Sequence, residues 1–464
     1  MTERPRLAVV GAGPAGLAAA LAAAARGVQV TLVDAADQAG GQFYRQPAAA
    51  LGARRPQALH HQWRTWERLR DGLDRHRTAG RITQLTDHHV WCVARDSASG
   101  AFAVHALLGP AQEDGVTVRA DAVLLATGAY ERVLPFPGWT LPGVVTAGGA
   151  QAMLKGGLVL PGRRVVVAGT GPLLLPVAAG LAAAGAWVAA LVESAGPGAL
   201  LHRAPALAAQ PGKLAEGAGY AARLLRHGVR TLARHTVVAA HGTDRLEAVT
   251  VAALDRDGRP RPGSARRIPC DTLAVGHGML PHTDLAETLG CTLSGTAVRV
   301  DAEQRTDVPG VWAAGEATGV GGAALALAEG HIAGRSAAAR LRGTAPDPGG
   351  WGAARTRTRL RAFATALDAV YAPPAGWADR VPDETVVCRC EEVTAGEVRG
   401  AVDSLGAGDL RTVKLLTRAG MGWCQGRMCA PAVAGLAGCP LTAGRRPFAR
   451  PVPLGVLAAL PETE

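Results

Sequence analysis

Val9-Val10-Gly11-Ala12-Gly13-Pro14-Ala15-Gly16 places three glycines, spaced G-x-G-x-x-G, directly behind an apolar run and directly ahead of an alanine-rich one. That order predicts strand, tight turn, helix. Gly11 permits the turn, Gly13 lets the backbone approach a pyrophosphate, and Gly16 lets helix and strand pack closely. The phosphates are then expected at the helix N-terminus, where free N–H groups and the macrodipole favour anions, with Pro14 and Ala15 opening the helix. The next apolar run, Val30 to Val33, ends in Asp34, where a carboxylate takes ribose hydroxyls. A lone glycine triplet is weak evidence. Two strands and an acid in step with it make residues 6–34 a dinucleotide-binding unit.

The same pattern returns. Arg164 to Ala168 reads as a strand, Gly169-Thr170-Gly171-Pro172 as a turn, Leu173 to Gly185 as a helix, and Trp187 to Glu193 as a strand. The third glycine position is Leu174, and a branched residue there is expected to push the helix off the strand and crowd the turn. Glu193 stands where Asp34 stands in the first unit, which suits NADH or an adenine nucleotide. No arginine follows it to hold a 2′-phosphate. The competing reading is a unit kept for architecture and subunit contacts. Between the units, Val123 to Ala126 is a buried-type strand, and Pro135 to Gly143 marks a boundary. Residues 196–235 read as mainly helical. Strands follow around Thr236–Leu254 and Thr272–Val275, then a late strand at Val311 to Gly315 and a helix to Leu341. Gly343 to Gly350 has linker composition, and a basic amphipathic helix spans about Ala353 to Tyr371.

Cys388-Arg389-Cys390 and Cys424-Gln425-Gly426-Arg427-Met428-Cys429 gather four of the eight cysteines into C-x-C and C-x4-C pairs. In a large chain such clustering favours metal or redox chemistry over disulfides. Four thiolates hold 2Fe–2S or zinc, but the C-x-C pair is tighter than the two to four residues that separate paired zinc ligands. Free thiols are the third reading. Arg389, Arg411, Arg418 and Arg427 surround the pairs and are expected to favour a reduced, more negative cluster. Cys92, Cys270, Cys291 and Cys439 read as small buried hydrophobes.

Composition narrows the class. At 464 residues a soft prior gives about three domains. Aromatics at 4% against 60 glycines suit α/β layers whose backbones approach each other closely. Net charge is 49 − 38 = +11, but it is spread along the chain and carried almost wholly by arginine, so nucleic acid is not expected as a partner. The apolar stretch Leu7 to Ala25 is broken by Gly11, Gly13, Pro14 and Gly16, lacks a cleavage site, and is not a membrane span. A cytoplasmic protein with no transmembrane segment is expected, with a peripheral seat on the inner face of the membrane left open. No acid–base or nucleophile constellation stands out, so catalytic residues remain unknown. His277, His282 and His331 are candidates for places near a cofactor, each against the plainer reading of a loop or packing histidine.

Gly40-Gly41-Gln42-Phe43-Tyr44-Arg45, Ala126-Thr127-Gly128 and Trp312-Ala313-Ala314-Gly315-Glu316 occur in the order that resembles two-dinucleotide-fold flavoproteins like thioredoxin reductase. The resemblance implies that Gly41, Gln42 and Arg45 pass along a flavin. It also implies that Thr127 and Gly128 close the first part of an FAD domain, and that Gly315 and Glu316 reach the ribityl-phosphate region. Glu316 replaces the more usual Asp, shifting its carboxylate by about an ångström. The C-x-x-C of thioredoxin reductases is missing from residues 141–284, so dithiol exchange is not expected. The cysteine pairs, followed by Glu391-Glu392-Val393-Thr394, resemble the bacterioferritin-associated-ferredoxin-like domain, which binds 2Fe–2S.

With Glu131 to Val144 and the Gly169–Leu175 run, the whole chain is similar to α subunits of heteromeric dye-linked amino- and imino-acid dehydrogenases of the opine oxidase, hydrogen cyanide synthase and proline or hydroxyproline dehydrogenase type. This implies an α/β fold with two Rossmann-like dinucleotide-binding domains and a small helical 2Fe–2S domain. The expected layout is an FAD domain over 1–140 and 285–342, a second nucleotide domain over 141–284, and a linker and helix over 343–375. A cluster domain over 376–445 and a tail over 446–464 complete it. Implied cofactors are FAD and a 2Fe–2S cluster, with an additional nucleotide (NADH or ATP) or FMN left open. Implied partners are an amino-acid-oxidase-like FAD β subunit, with or without a small γ subunit, and an electron acceptor. A stand-alone NADH-dependent reductase and a non-catalytic scaffold are the other two readings.

Overall fold

The computed structural model describes residues 4–96, 99–442, 444 and 446–459. A parallel sheet opens the chain, in the order Val311–Ala313, Ala122–Leu125, Arg6–Val10, Gln29–Val33, Ile82–Leu85. Alternation within its strands divides two cores. Leu7, Val9, Leu32, Leu124 and Trp312 pack against helices, whereas Ala8, Val10, Val123, Leu125 and Val311 pack against the antiparallel sheet His88–Arg95, Phe102–Leu108, Asp114–Ala120. Sequence reading misses that second sheet.

The helix side explains the alanine and glycine content. Pro14–Ala24 lies along Ala323–Arg340, and a Cβ at Gly330 would fall 2.0 Å from the Ala15 carbonyl oxygen; one at Gly334 would fall 2.1 Å from that of Ala19. Only glycine admits that approach. The same closeness draws the Gly315 loop onto the first glycine turn, where a Cβ at Gly315 would meet Ala15 Cβ at 2.7 Å.

The second unit repeats the first. Its parallel sheet runs Thr231–Ala233, Trp187–Glu193, Arg164–Gly169, Thr272–Gly276, Val144–Thr146, with helices on one face and the antiparallel strands His235–His241, Ala248–Ala253 and Arg266–Pro269 on the other. The segment 196–235 holds helices to Arg226, then the edge strand Thr231–Ala233. Two crossing strands join the units and pair with each other, Ala129–Glu131 against Met279–Pro281.

The cluster domain is small and largely helical, built from Ala395–Asp403, Leu410–Thr417 and Ala430–Leu436 behind the short pair Val386–Cys388 and Val393–Thr394. Thr394 caps its first helix in a reciprocal box with Glu397. The domain is tied down on several sides. Trp139 Nε1 donates to the Val386 carbonyl at 2.6 Å, and Arg380 Nη1 to that of Gly258 at 3.2 Å. The described part of the expected tail, 446–459, folds back over the first unit: Ala449 N donates to Trp91 O at 2.9 Å, and Val456 is buried in a cluster with Trp91 and Leu107.

Candidate functional site

The first glycine turn has the geometry a pyrophosphate needs. Gly11 sits at φ +103°, and a Cβ there would lie 2.3 Å from the Ala126 carbonyl oxygen. At Gly16 a Cβ would lie 1.7 Å from the Gly11 oxygen, so helix and turn are in direct contact. Gly13 is different: it is the N-cap, no side chain caps its helix, and its Cβ direction is open except for Gly41 Cα at 3.9 Å. The helix amides therefore face free space. Asp34 accepts from the backbone N–H of Ala12 and, at 2.7 Å, from that of Ala36. Burial pushes its carboxyl up despite those bonds.

The loop Gly40–Arg45 closes over this turn. Gly40 N donates to Ala12 O at 2.8 Å, and Arg45 Nη2 donates to Gln42 Oε1 at 2.7 Å. Both of those side chains line a cavity of about 2000 Å³. Tyr44, between them in the chain, does not reach it. It is fully buried, stacked on Trp66 at 5.5 Å, and burial pushes its hydroxyl up to about 12. Beneath the loop, Lys155 donates to Phe43 O at 3.2 Å, and burial lowers its ammonium to about 8.

At the far wall Glu316 lines the cavity, and burial pushes its carboxyl up. Sequence reading missed the acid that holds this loop. Glu329 Oε2 accepts from Gly315 N at 3.0 Å and Thr318 Oγ1 at 2.9 Å, while Oε1 pairs with Arg361. A lone acid in the apolar run Ala323 to Ala333 was the available signal. Arg361 belongs to the helix Gly352–Val370, and Leu367, Asp368 and Tyr371 from this segment form a cavity wall. The expected linker is thus part of the site.

The second glycine turn opens into the same space through Thr170, Gly171 and Pro172. Gly171 has nothing within 4 Å of its Cβ direction, whereas Gly169 is pressed against the Gly276 carbonyl. The helix starts at Leu174, two residues later than the matching start at Pro14, and Leu174 N closes a turn onto Gly171 O at 3.2 Å. Glu193 accepts from Gly171 N and Ala195 N, and burial raises its carboxyl to about 7.

Of the three histidines, His331 lies on an exposed helix position outside the cavity, so its reading as a cofactor neighbour is corrected. His277 and His282 both line the cavity. His277 is fully enclosed, and burial, aided by Arg132, lowers its imidazole to about 4. Its neutral form is favoured by the fold, so its contribution is complete above about pH 6.5 and is lost as pH falls toward 4. Urea unfolding is expected to show roughly 3 kcal/mol of acid destabilisation across that window, and His277→Gln is expected to flatten it.

The four cluster-domain cysteines are neighbours. The Cys424 side chain interacts with those of Cys429 and Cys390, and Cys429 in turn with Cys388. The Cys429 contact leads in holding the Cys424 thiol down to about 5, and the same contact pushes Cys429 up. Glycines make the cradle: a Cβ at Gly422 would lie 2.1 Å from Cys390 Cβ, and Gly420 and Gly426 both hold positive φ. Among the described residues no group of three or more His, Cys, Asp or Glu converges as a single ion requires. Four neighbouring thiols in a glycine cradle supply the donor set that 2Fe–2S takes. Cys270 and Cys291 are buried, while Cys92 and Cys439 are only partly so. Two of the four nearby arginines carry carboxylate partners, Arg418 with Glu391 and Arg427 with Asp284, both at 2.8 Å, which weakens the expected positive field.

Cys424, Arg427 and Met428 line the cavity that the two glycine turns line. Asp284, buried and missed by sequence reading, ties these walls together through His282, Arg427 and Arg446 at 2.9, 2.8 and 2.6 Å. Burial alone would raise its carboxyl; the His282 hydrogen bond and the charges of Arg427 and Arg446 overcome that and hold it down to about 2.

Residues 5–337 match the profile of the pyridine nucleotide-disulphide oxidoreductase family. The chain belongs to that family. As a pyridine nucleotide-disulphide oxidoreductase it is an FAD-dependent type of enzyme, and residues 386–437 match the BFD-like [2Fe-2S] binding domain, which implies the cluster. Among its relatives, hydrogen cyanide synthase subunit HcnB of Pseudomonas protegens is 35% identical over 440 residues, 91% of this chain and 89% of that one. An opine oxidase subunit from Agrobacterium tumefaciens is 33% identical over 448 residues, 92% and 84% of the two chains. The L-proline dehydrogenase structure from P. horikoshii shares the fold, with TM-score 0.67 and 21% identity over 98% of this chain and 81% of that one. Thioredoxin reductase from T. acidophilum shares it over 72% of this chain and 97% of its own, with TM-score 0.52 and 19% identity. Among the described residues no helix is long and apolar enough to cross a membrane.

Proposed function

We propose that this chain is the electron-transfer α subunit of a heteromeric amino- or imino-acid dehydrogenase of the opine, proline or hydroxyproline type. A partner flavoprotein, the β subunit, oxidises a C–N bond, and this chain passes the electrons to a respiratory or quinone acceptor. The observation that carries the reading is the shared cavity, walled by the Gly11–Gly16 turn on one side and by Cys424 and Arg427 on another. Relatives that are themselves subunits, of hydrogen cyanide synthase and opine oxidase, support it.

In this reading Gly11, Gly13 and Gly16 seat the FAD pyrophosphate, and Asp34 orders the turn and meets the ribose. Gly41, Gln42 and Arg45 cover the flavin side, with Thr127, Gly128, Gly315 and Glu316 completing the wall. Cys388, Cys390, Cys424 and Cys429 are the cluster ligands. The flavin supplies two-electron chemistry and the cluster one-electron delivery. The residues of this chain bind, orient and shield the two groups. The domain limits 1–140 with 285–342, 141–284 and 376–445 belong to the same proposal, with 343–375 acting as a wall.

A second reading rests on the open Gly171 turn and the placement of Glu193: NADH binds there and the chain is a self-sufficient reductase. Anaerobic bleaching of the flavin separates the two. The first reading expects bleaching by an amino or imino acid only when the partner flavoprotein is present, and none by NADH. Rapid bleaching of the isolated chain by NADH would establish the second and end the first.

A further inference from the structure

We propose that Asp284 is a positioning residue for electron transfer, clamping the cluster loop to the flavin-side loop. The inference rests on the reading that FAD and 2Fe–2S occupy the two walls.

The bridge is continuous. Thr127 Oγ1 donates to the His282 carbonyl at 2.5 Å, and His282 N donates to Gly128 O at 2.9 Å, so His282 is fixed to the Ala126–Gly128 loop on both sides of its backbone. Its Nε2 lies 2.9 Å from Asp284 Oδ2, and Arg427 Nε donates to that same oxygen at 2.8 Å. Arg427 sits between Cys424 and Cys429, and its Nη1 donates to the Cys424 carbonyl at 3.3 Å. Three residues, His282, Asp284 and Arg427, therefore lead from a flavin-side loop to a cluster-ligand backbone. The other Asp284 oxygen accepts from Arg446 at 2.6 Å, and Arg427 also donates to Ala449 O, so the folded-back tail closes the clamp from behind. The ring of Tyr130 stands edge-on to His282, 6.0 Å between centroids, and holds the imidazole at the cavity wall.

The step served is simple to balance. With both groups bound, one electron lost by reduced flavin would be gained by one ferric ion of the cluster. After the cluster discharges to the acceptor, a second electron follows and the flavin's protons pass to solvent. No bond forms between the two groups, so the rate depends on how closely and rigidly they are held. That is a matter of the clamp rather than of either binding loop alone.

The test uses the full chain with both cofactors, in an anaerobic cell, with the flavin reduced by deazaflavin and light. Cluster reduction is followed by its visible bleaching and by EPR, and its midpoint potential by dye-mediated titration. Asp284→Asn keeps the shape and removes one negative charge beside two arginines, which is expected to raise the cluster potential. A charge effect alone would then speed the transfer. The clamp predicts the reverse, a slowing of roughly tenfold or more despite the higher potential, with iron, sulfide and flavin contents unchanged. Asp284→Glu is expected to restore most of the rate. Should Asp284→Asn lose iron, His282→Gln, which leaves both arginine pairs in place, is expected to keep the iron and slow the transfer. Wild-type rates in Asp284→Asn, or in His282→Gln when that variant decides, overturn the clamp while leaving the functional reading intact. Wild-type protein without iron or flavin overturns both.

Discussion

Gly13→Val is expected to give a folded chain that leaves purification with its iron but almost without flavin. Gly13 is the one glycine of the first turn whose backbone tolerates a side chain: φ is −73° and ψ −175°, and the nearest atom to an added Cβ is Gly41 Cα at 3.9 Å. The branched group projects into the space that the pyrophosphate needs in front of the helix amides. Overpacking of this kind costs about 1–3 kcal/mol. The upper part of that range corresponds to roughly a hundredfold in affinity. Gly16→Ala is the contrasting control. Its Cβ would fall 1.7 Å from the Gly11 oxygen, so the damage is to folding rather than to binding alone. Flavin absorbance after ultrafiltration, beside thermal unfolding, separates the two. Gly13→Val with full flavin would show that the phosphates lie elsewhere.

Cys424→Ser is expected to abolish iron and acid-labile sulfide while leaving the flavin in place. Cys424 is the link between Cys390 and Cys429, and of the four neighbouring cysteines it is the one that lines the cavity shared with the first glycine turn. Loss of an outer partner of a metal ligand commonly costs ten- to a hundredfold, so loss of the ligand itself is expected to cut transfer to a one-electron acceptor by at least about a hundredfold. Flavin reduction itself should persist. Iron and sulfide assays with stopped-flow reduction of a one-electron dye provide the check. Retention of iron in Cys424→Ser would remove this residue from the ligand set.

The parts legible in the sequence are those whose chemistry is local. Gly11, Gly13 and Gly16 lie within six residues, Asp34 closes the next strand, and the four cysteines declare themselves by pairwise spacing. What escaped was long-range. Asp284 meets Arg427 across 143 residues and Arg446 across 162, and no periodic pattern reports such a pairing. Glu329 and Arg361 sit on different helices whose packing had to be known first. His331 misled because helix position alone does not say which face meets a cavity. The Gly343–Gly350 composition suggested a linker, but not that the helix beyond it returns as a wall.

Many redox proteins send a small carrier module swinging on a tether between donor and acceptor. The ties at Val386, Gly258, Asp284 and Trp91 leave this cluster module no such arc, because its entry, flank, ligand loop and trailing segment are each fastened to one of the two nucleotide units. Under the proposed function, an acceptor would have to come to this module rather than be met by it.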